Sequence, residues 1–347
     1  LNRMVSSTDA EGGISTTLYD AVSNVTASVD AEGNRTSFTY DALNRMVTAT
    51  DAEGGIATTL YDANDNVRAT IDQNSNRTTF TFDNLNRQTR AQDAEGGLAD
   101  TIYDDAGNVQ AVVDQNGNRT SFTYDALHRH TQTENALGDF STVIYDLVSN
   151  VVATVDEEGN RTSYTYDDLY RQTQTENALG DLTTLIYDLA DNVIATVDEN
   201  GNRTSFTYDL LNRSVQTEDA EGNLHSTIYD AVGNVQATID ANNNRTSFTY
   251  DGLNRHVQTE NALGDLSTLL YDKVGNVVAM VDEESNRTTF TYDGLHRQVT
   301  VQDAEGGIAT TLYDLASNVK AVVDQNGNRT SFTYDGLHRQ TERKRAL

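Results

Sequence analysis

The sequence contains no cysteine, no proline and no tryptophan. Without cysteine there is no disulfide stapling and no thiolate metal site, and the redox compartment stays open. Average usage near 5% would put roughly 17 prolines in a chain of this length, so their absence means that no backbone N–H is withheld from a hydrogen-bonded ladder. Positive charge is scarce as well: 24 lysines and arginines face 53 aspartates and glutamates, for a net charge of −29 and a pI near 4.3. That balance excludes a nucleic-acid backbone or an anionic membrane surface as the main partner and favours solubility and repulsion between chains. No apolar run approaches the roughly 18 residues of a membrane-spanning helix, so no membrane insertion is expected, and these residues carry no signal-peptide pattern.

What the chain has is a period. Tyr-Asp recurs every 21 residues from Tyr19-Asp20 to Tyr334-Asp335, with Phe82-Asp83 in the one irregular place, and no insertion or deletion interrupts the sixteen copies. Two flavours alternate, so the true repeat is 42 residues and occurs a little over eight times. The expected organisation is therefore one repeat array over residues 1–347. Leu1 aligns with Leu43, inside a unit, and Leu347 also stops inside one, so these residues are expected to be a piece of a longer chain.

Both flavours alternate with the period of two of a β-strand with one buried face. In one, Thr36, Phe38 and Tyr40 alternate with Ser37 and Thr39; in the other, Val67, Ala69 and Ile71 alternate with Arg68 and Thr70. Threonine, valine and aromatic residues favour strands, and two short strands per 21 residues result. Between them lies turn chemistry. Asn116-Gly117, Asn200-Gly201 and Asn326-Gly327 supply the positive φ angles of tight hairpins, and the Asp after each Tyr is placed to accept backbone N–H groups in an Asx-turn. The second flavour always has leucine two residues beyond that Asp, at Leu43, Leu85, Leu127, Leu169, Leu211, Leu253, Leu295 and Leu337. So constant a leucine is expected to tuck under the sheet. Each repeat has only about ten sizeable side chains of the usually buried types, so neighbours must share a core. The fold class is all-β, a repeat array of β-hairpins forming a continuous winding sheet or β-solenoid.

Residues 117–129, G-N-R-T-S-F-T-Y-D-A-L-H-R, resemble the YD repeat of the RHS family, found in bacterial Rhs proteins, toxin-complex shells and teneurins. The resemblance covers essentially the whole chain and implies hairpins joined into a long spiralling sheet. Two features depart from the family's toxin-enclosing members. Their shells end in a proline-containing cleavage motif, and no proline exists here; their repeats vary in length, and these do not. A constant repeat implies a constant rotation and rise, which generates an open helix, so a fibre is favoured over a cage.

Four constellations are candidates for chemistry. Asn34, Asn76, Asn118, Asn160, Asn202, Asn244, Asn286 and Asn328 each open an N-x-T sequon, one per repeat, and in a secreted fibre would carry regularly spaced glycans. Their bland reading is a turn exit and first strand residue. The V-D-x-x-G-N loops, such as Asp114, Asn116 and Asn118, distantly resemble a Ca2+ loop, but they lack the distal bidentate glutamate, and a hydrogen-bonded turn is favoured. Tyrosine and phenylalanine would stack in rows if equivalent repeats lie side by side, and arginines such as Arg45, Arg87 and Arg129 would offset carboxylates on adjacent strands. The six histidines read as turn or strand positions: His128, His296 and His338 stand where other copies have asparagine. No HExxH, GxSxG, P-loop or dinucleotide fingerprint occurs, and nearly every residue has seven equivalents, which argues against an enzyme. The expected function is an extracellular or cell-surface structural protein that self-associates into a fibre or stalk. The alternatives are a segment of a toxin-enclosing shell and a carbohydrate-binding adhesin with tyrosine rows as its platform.

Overall fold

A computed structural model describes residues 3–345, and within them every regular element is a β-strand. There are 33 strands of three to six residues, and successive strands pair antiparallel. Among the described residues no pairing joins the last strand, Gln340–Arg345, back to the first, Ser6–Thr8, so the sheet is open. By backbone contacts the chain divides into two units, one of Leu1–Leu98 with Phe248–Leu347 and one of Ala99–Ser247.

The turns show why a 21-residue sentence makes two strands. Hairpin turns alternate between the two rims of the sheet, one rim formed by acidic loops such as Asp114 to Asn118 and the other by Tyr-Asp turns such as Asp125 to Arg129. Both follow one plan. The Asp125 Oδ1 accepts the N–H of Leu127 and of Arg129 (2.9 and 3.1 Å), and the Asp114 Oδ1 accepts those of Asn116 and Asn118 (2.9 and 2.8 Å). The His128 N–H closes the turn on the Asp125 carbonyl and the Gly117 N–H on that of Asp114. Each turn then ends on one left-handed residue, His128 at φ 60° or Gly117 at φ 81°. In Asn116-Gly117 only the glycine has positive φ, so these are longer loops with one left-handed residue rather than two-residue mirror-image turns.

At each Tyr-Asp the register slips. Thr123 lies opposite Gln132, but Tyr124 lies opposite His130, which leaves one extra residue and a β-bulge. The tyrosine hydroxyl then reaches back fifteen residues, and Tyr124 donates to the Val109 carbonyl at 3.0 Å. Tyr145, Tyr166 and Tyr187 do the same to His130, Val151 and Gln172.

Among the described residues only eight side chains are fully buried, and all are the same alanine: Ala27, Ala69, Ala111, Ala153, Ala195, Ala237, Ala279 and Ala321. Ala111 lies between Ile102 and Ser121 on the neighbouring strands, with Val109 and Val113 flanking it on its own. Cross-strand partners share a face, so Ala111 and Ser121 project from one face and Phe122 from the other. In this pair the two apolar sets expected from sequence are thus on opposite faces, and Phe122 and Tyr124 are half-buried rather than core. A single layer of strands has no interior to offer. The accessible surface is 21121 Å², where a compact chain of this mass would expose about 14,000 Å².

The expected burial of the turn leucine does not hold in five copies. Leu43, Leu85, Leu127, Leu169 and Leu211 are 64–72% exposed. A turn on the rim of a one-layer sheet has nothing beneath it. Leu253, Leu295 and Leu337 are half-buried, and what covers them is another rim.

Candidate functional site

The unit formed by Leu1–Leu98 and Phe248–Leu347 contains a seam. Acidic loops of the first stretch meet Tyr-Asp turns of the second, 23 strands later in the sequence. Glutamate carboxylates accept backbone N–H groups across it: Gly252 donates to the Glu11 Oε1 at 3.1 Å, Gly294 to Glu53 at 2.8 Å and Gly336 to Glu95 at 2.6 Å. In the intervening register the Lys273 N–H approaches the Glu32 Oε1 at 3.3 Å, and the Asn74 amide donates to the Asp314 carboxylate at 3.0 Å.

Two histidines complete the seam. The His296 Nε2 lies 3.0 Å from the Asp30 carboxylate, and the His338 Nε2 lies 2.9 Å from that of Asp72. Their Nδ1 atoms face the amides of Asn276 and Asn318 at 3.3 and 3.0 Å, an arrangement satisfied when Nδ1 accepts and Nε2–H donates. Burial raises the Asp30 carboxyl, but the Asn34 amide, backbone N–H groups and His296 outweigh it, and its pKa stays below the ordinary value.

Along the Tyr-Asp rim, arginine holds one turn to the next. Arg129 donates through Nε to the Asp125 Oδ2 at 2.7 Å in its own turn, and through Nη1 to the Asp146 carbonyl and the Ser149 hydroxyl in the following one. Its guanidinium sits 4.5 Å from the ring centre of Tyr145. Arg45 over Tyr61, Arg171 over Tyr187 and Arg213 over Tyr229 repeat the arrangement at 4.3–4.6 Å. This replaces the expected aromatic rows. Among the described residues, the ring-to-ring contacts pair a histidine with its neighbours, as His130 does with Phe122 and Tyr124.

The eight sequon asparagines all sit at the exits of acidic loops, and each donates its side-chain amide to the loop aspartate four residues earlier. Asn34 binds Asp30 at 2.9 Å, Asn76 binds Asp72 at 2.8 Å and Asn118 binds Asp114 at 2.8 Å. Asn160, Asn202, Asn244, Asn286 and Asn328 repeat this within 2.8–2.9 Å. Asn34 and Asn76 are half-buried at the seam, and the other six are exposed. In the loop weighed for Ca2+, both Asp114 oxygens are engaged by hydrogen bonds within the turn, and the Asn118 amide, then backbone N–H groups, hold its carboxyl below the ordinary range. Among the described residues no group of three or more metal-ligating side chains is placed to hold a metal.

Two sets of residues escaped the sequence reading: the glycines at 252, 294 and 336, and the pairing of His296 and His338 with carboxylates. A signal for the glycines was in plain view. The last three copies of the leucine turn read D-G-L, whereas the first five have Ala42, Asn84, Ala126, Asp168 and Leu210 in that place.

A family model described as RHS Repeat matches residues 19–56, 61–98, 103–139, 187–224, 229–266, 271–308 and 313–347, well over half of the chain. Among solved structures, the chain is similar to the crystal structure of TcdB2-TccC3-Cdc42, with a TM-score of 0.82 at 14% identity over 95% of this chain and 21% of that one. It is similar to TcdB2-TccC3-TEV (TM-score 0.71, 14% identity, 95% of this chain and 23% of that). A third similar structure is the Photorhabdus luminescens Tc holotoxin pore with a mutated TccC3 (0.71, 14%, 94% and 22%). The chain spans about a fifth of the length of these relatives, and likeness at this identity shows the fold alone. No curated protein sequence matches it.

Proposed function

The chain belongs to the RHS-repeat family, and we propose that it is a stretch of shell wall, a non-catalytic scaffold that encloses a polypeptide cargo of the toxin class. The observation that carries this reading is the seam. A wall that holds a cargo needs rims that seal against one another, and in one unit two stretches of the array close rim on rim through Glu11, Glu53 and Glu95. The folds it resembles are those of proteins named as toxin-complex components, which supports the same role. Repetition supports a scaffold over an enzyme, since a catalytic group would be expected once in a unique setting. Imaging of the native particle, with whatever sequence flanks these residues, tests the reading. Hollow particles are expected, and uniform solid rods would overturn it.

The unbroken 21-residue period favours a second reading, an extracellular or cell-surface fibre built by self-association, with glycans on its sequons. Six of the sequon asparagines, Asn118 among them, face solvent on one rim, which is where regularly spaced glycans would stand. Rods in the same images would select this reading, and intact mass of native material tests its glycans: unmodified Asn118 and its equivalents would remove them.

A further inference from the structure

We propose that in the leucine-bearing Tyr-Asp turns the residue after the aspartate is a key: glycine there admits an acidic rim of the same repeat type, and a Cβ there keeps the rim bare. Among the leucine-bearing turns, the three that carry glycine at this place, Gly252, Gly294 and Gly336, are those whose N–H is capped by a glutamate from another rim. A Cβ built on Gly294 would lie 2.8 Å from the Glu53 Oε1 and 3.1 Å from the Ala52 Cβ. On Gly336 it would lie 2.5 Å from the Glu95 Oε1 and 3.1 Å from the Ala94 Cβ. On Gly252 it would lie 2.7 Å from the Glu11 Oε1, with the Ala10 Cβ farther off at 3.9 Å. A side chain would therefore displace the glutamate oxygen at all three turns and press on the opposing loop at two.

The turn itself does not ask for glycine. None of the three has a positive φ, and Ala42 and Ala126 fill the same place in turns that keep the aspartate bonds at 2.9 Å. The glycine thus serves the contact across the seam. Lys273, a seam turn with a side chain at this place, holds its glutamate at 3.3 Å, the longest of the four N–H to glutamate bonds. The partner is an acidic D-A-E-G loop whose carboxylate can reach an exposed N–H, and the loop at residues 303–306, with Glu305 exposed, offers one. Side chains at 42, 84, 126, 168 and 210 then bar the bare rims from receiving such a loop from a second copy. The inference concerns which rims meet and is independent of any cargo.

Two variants of the full chain test it by hydrogen exchange and light scattering. In Gly252→Ala/Gly294→Ala/Gly336→Ala, amide exchange at 252, 294 and 336 should rise at least tenfold, most at 294 and 336, while the Leu127 and Leu169 amides and the β-sheet circular dichroism stay as they were. Unchanged exchange at the three substituted positions would overturn the key. In Ala42→Gly/Asn84→Gly/Ala126→Gly/Asp168→Gly/Leu210→Gly, the mass should rise with concentration as copies join rim to rim. A mass that stays at the parent value across that range would overturn the barring role of the side chains.

Discussion

Leu127 and Leu295 hold the same place in the same turn, yet Leu127 is 66% exposed and Leu295 is half-buried. Their turns are alike in backbone and bonding: Asp125 and Asp293 each accept the leucine N–H and the arginine N–H, and bind the arginine side chain. What differs is whether a second rim lies on the turn, as the loop of Ala52 and Glu53 lies on Gly294. The comparison separates two layers of construction in this array. Strands, bulges and turns are set locally and repeat without change, whereas the surroundings of a rim depend on a partner loop 241 residues away in the chain. Experiments that change the local layer should act alike in both regions, and experiments on the rim should not.

The largest effect expected is from acid, and it should ignore the distinction. The Asp125 carboxyl is held below the ordinary range by its bond to the Arg129 side chain, with backbone N–H groups adding to it. At Asp293 burial raises the carboxyl, but Arg297 outweighs that and the net direction is again down. Unfolded aspartate titrates near 3.9, so the stabilisation from these turns is complete above about pH 4 and is lost as pH falls through the lower folded values. Because nearly every Tyr-Asp turn contributes, sheet circular dichroism should collapse in that window. A sheet that persists unchanged to pH 2 would show that the aspartate locks contribute little.

Next in size is the alanine core, again common to both regions. Ala153→Leu and Ala279→Leu each force three extra carbons into a position with no accessible surface, and about 1–3 kcal/mol should be lost in each. Urea unfolding measures both. A clear difference between them would mean that the sheet interior also senses the seam.

The strand period and its break points were legible because they are local. Thr-Ser-Phe-Thr-Tyr alternates, Asn-Gly interrupts, and Asp follows each Tyr where a turn needs an acceptor. Which face each strand's apolar set takes was not legible, because pairing puts Ala69 opposite Thr79 and not Phe80, and a one-residue offset moves a side chain to the other face. Gly294 marks the turn of Leu295 as different, but no short-range feature of Asp-Gly-Leu-His says what covers it. That fact lies in the matching of Gly294 to Glu53 across the seam, which only the folded chain brings together.

Truncating the two leucines addresses the comparison directly. Leu295→Ala should cost about 1–2 kcal/mol, a fraction of the 2–5 kcal/mol of a fully buried leucine, while Leu127→Ala should stay within about 0.5 kcal/mol. Equal losses in urea unfolding would mean that the covering rim does not pack on Leu295. Removing a tyrosine hydroxyl should restore the symmetry. Tyr124→Phe and Tyr292→Phe each delete a bond to a strand carbonyl, at 3.0 and 2.8 Å, and each should lose about 1 kcal/mol. Phe82 shows that the array tolerates the change once.

The smallest effect expected is a gain. Tyr170 ends its turn at φ 63° and is 62% exposed, so a bulky ring is held in a left-handed conformation that asparagine adopts more readily. In the equivalent turn, Asn86 accepts the side-chain amide of Asn66 at 2.9 Å, and Asn150 stands in the matching place to serve Tyr170→Asn. The substitution should raise stability by about 0.5–1 kcal/mol, measured by urea unfolding against the parent chain. A loss in its place would show that the Tyr170 ring makes a contact worth more than the backbone relief, and that a bare rim is less empty than its exposed leucines indicate.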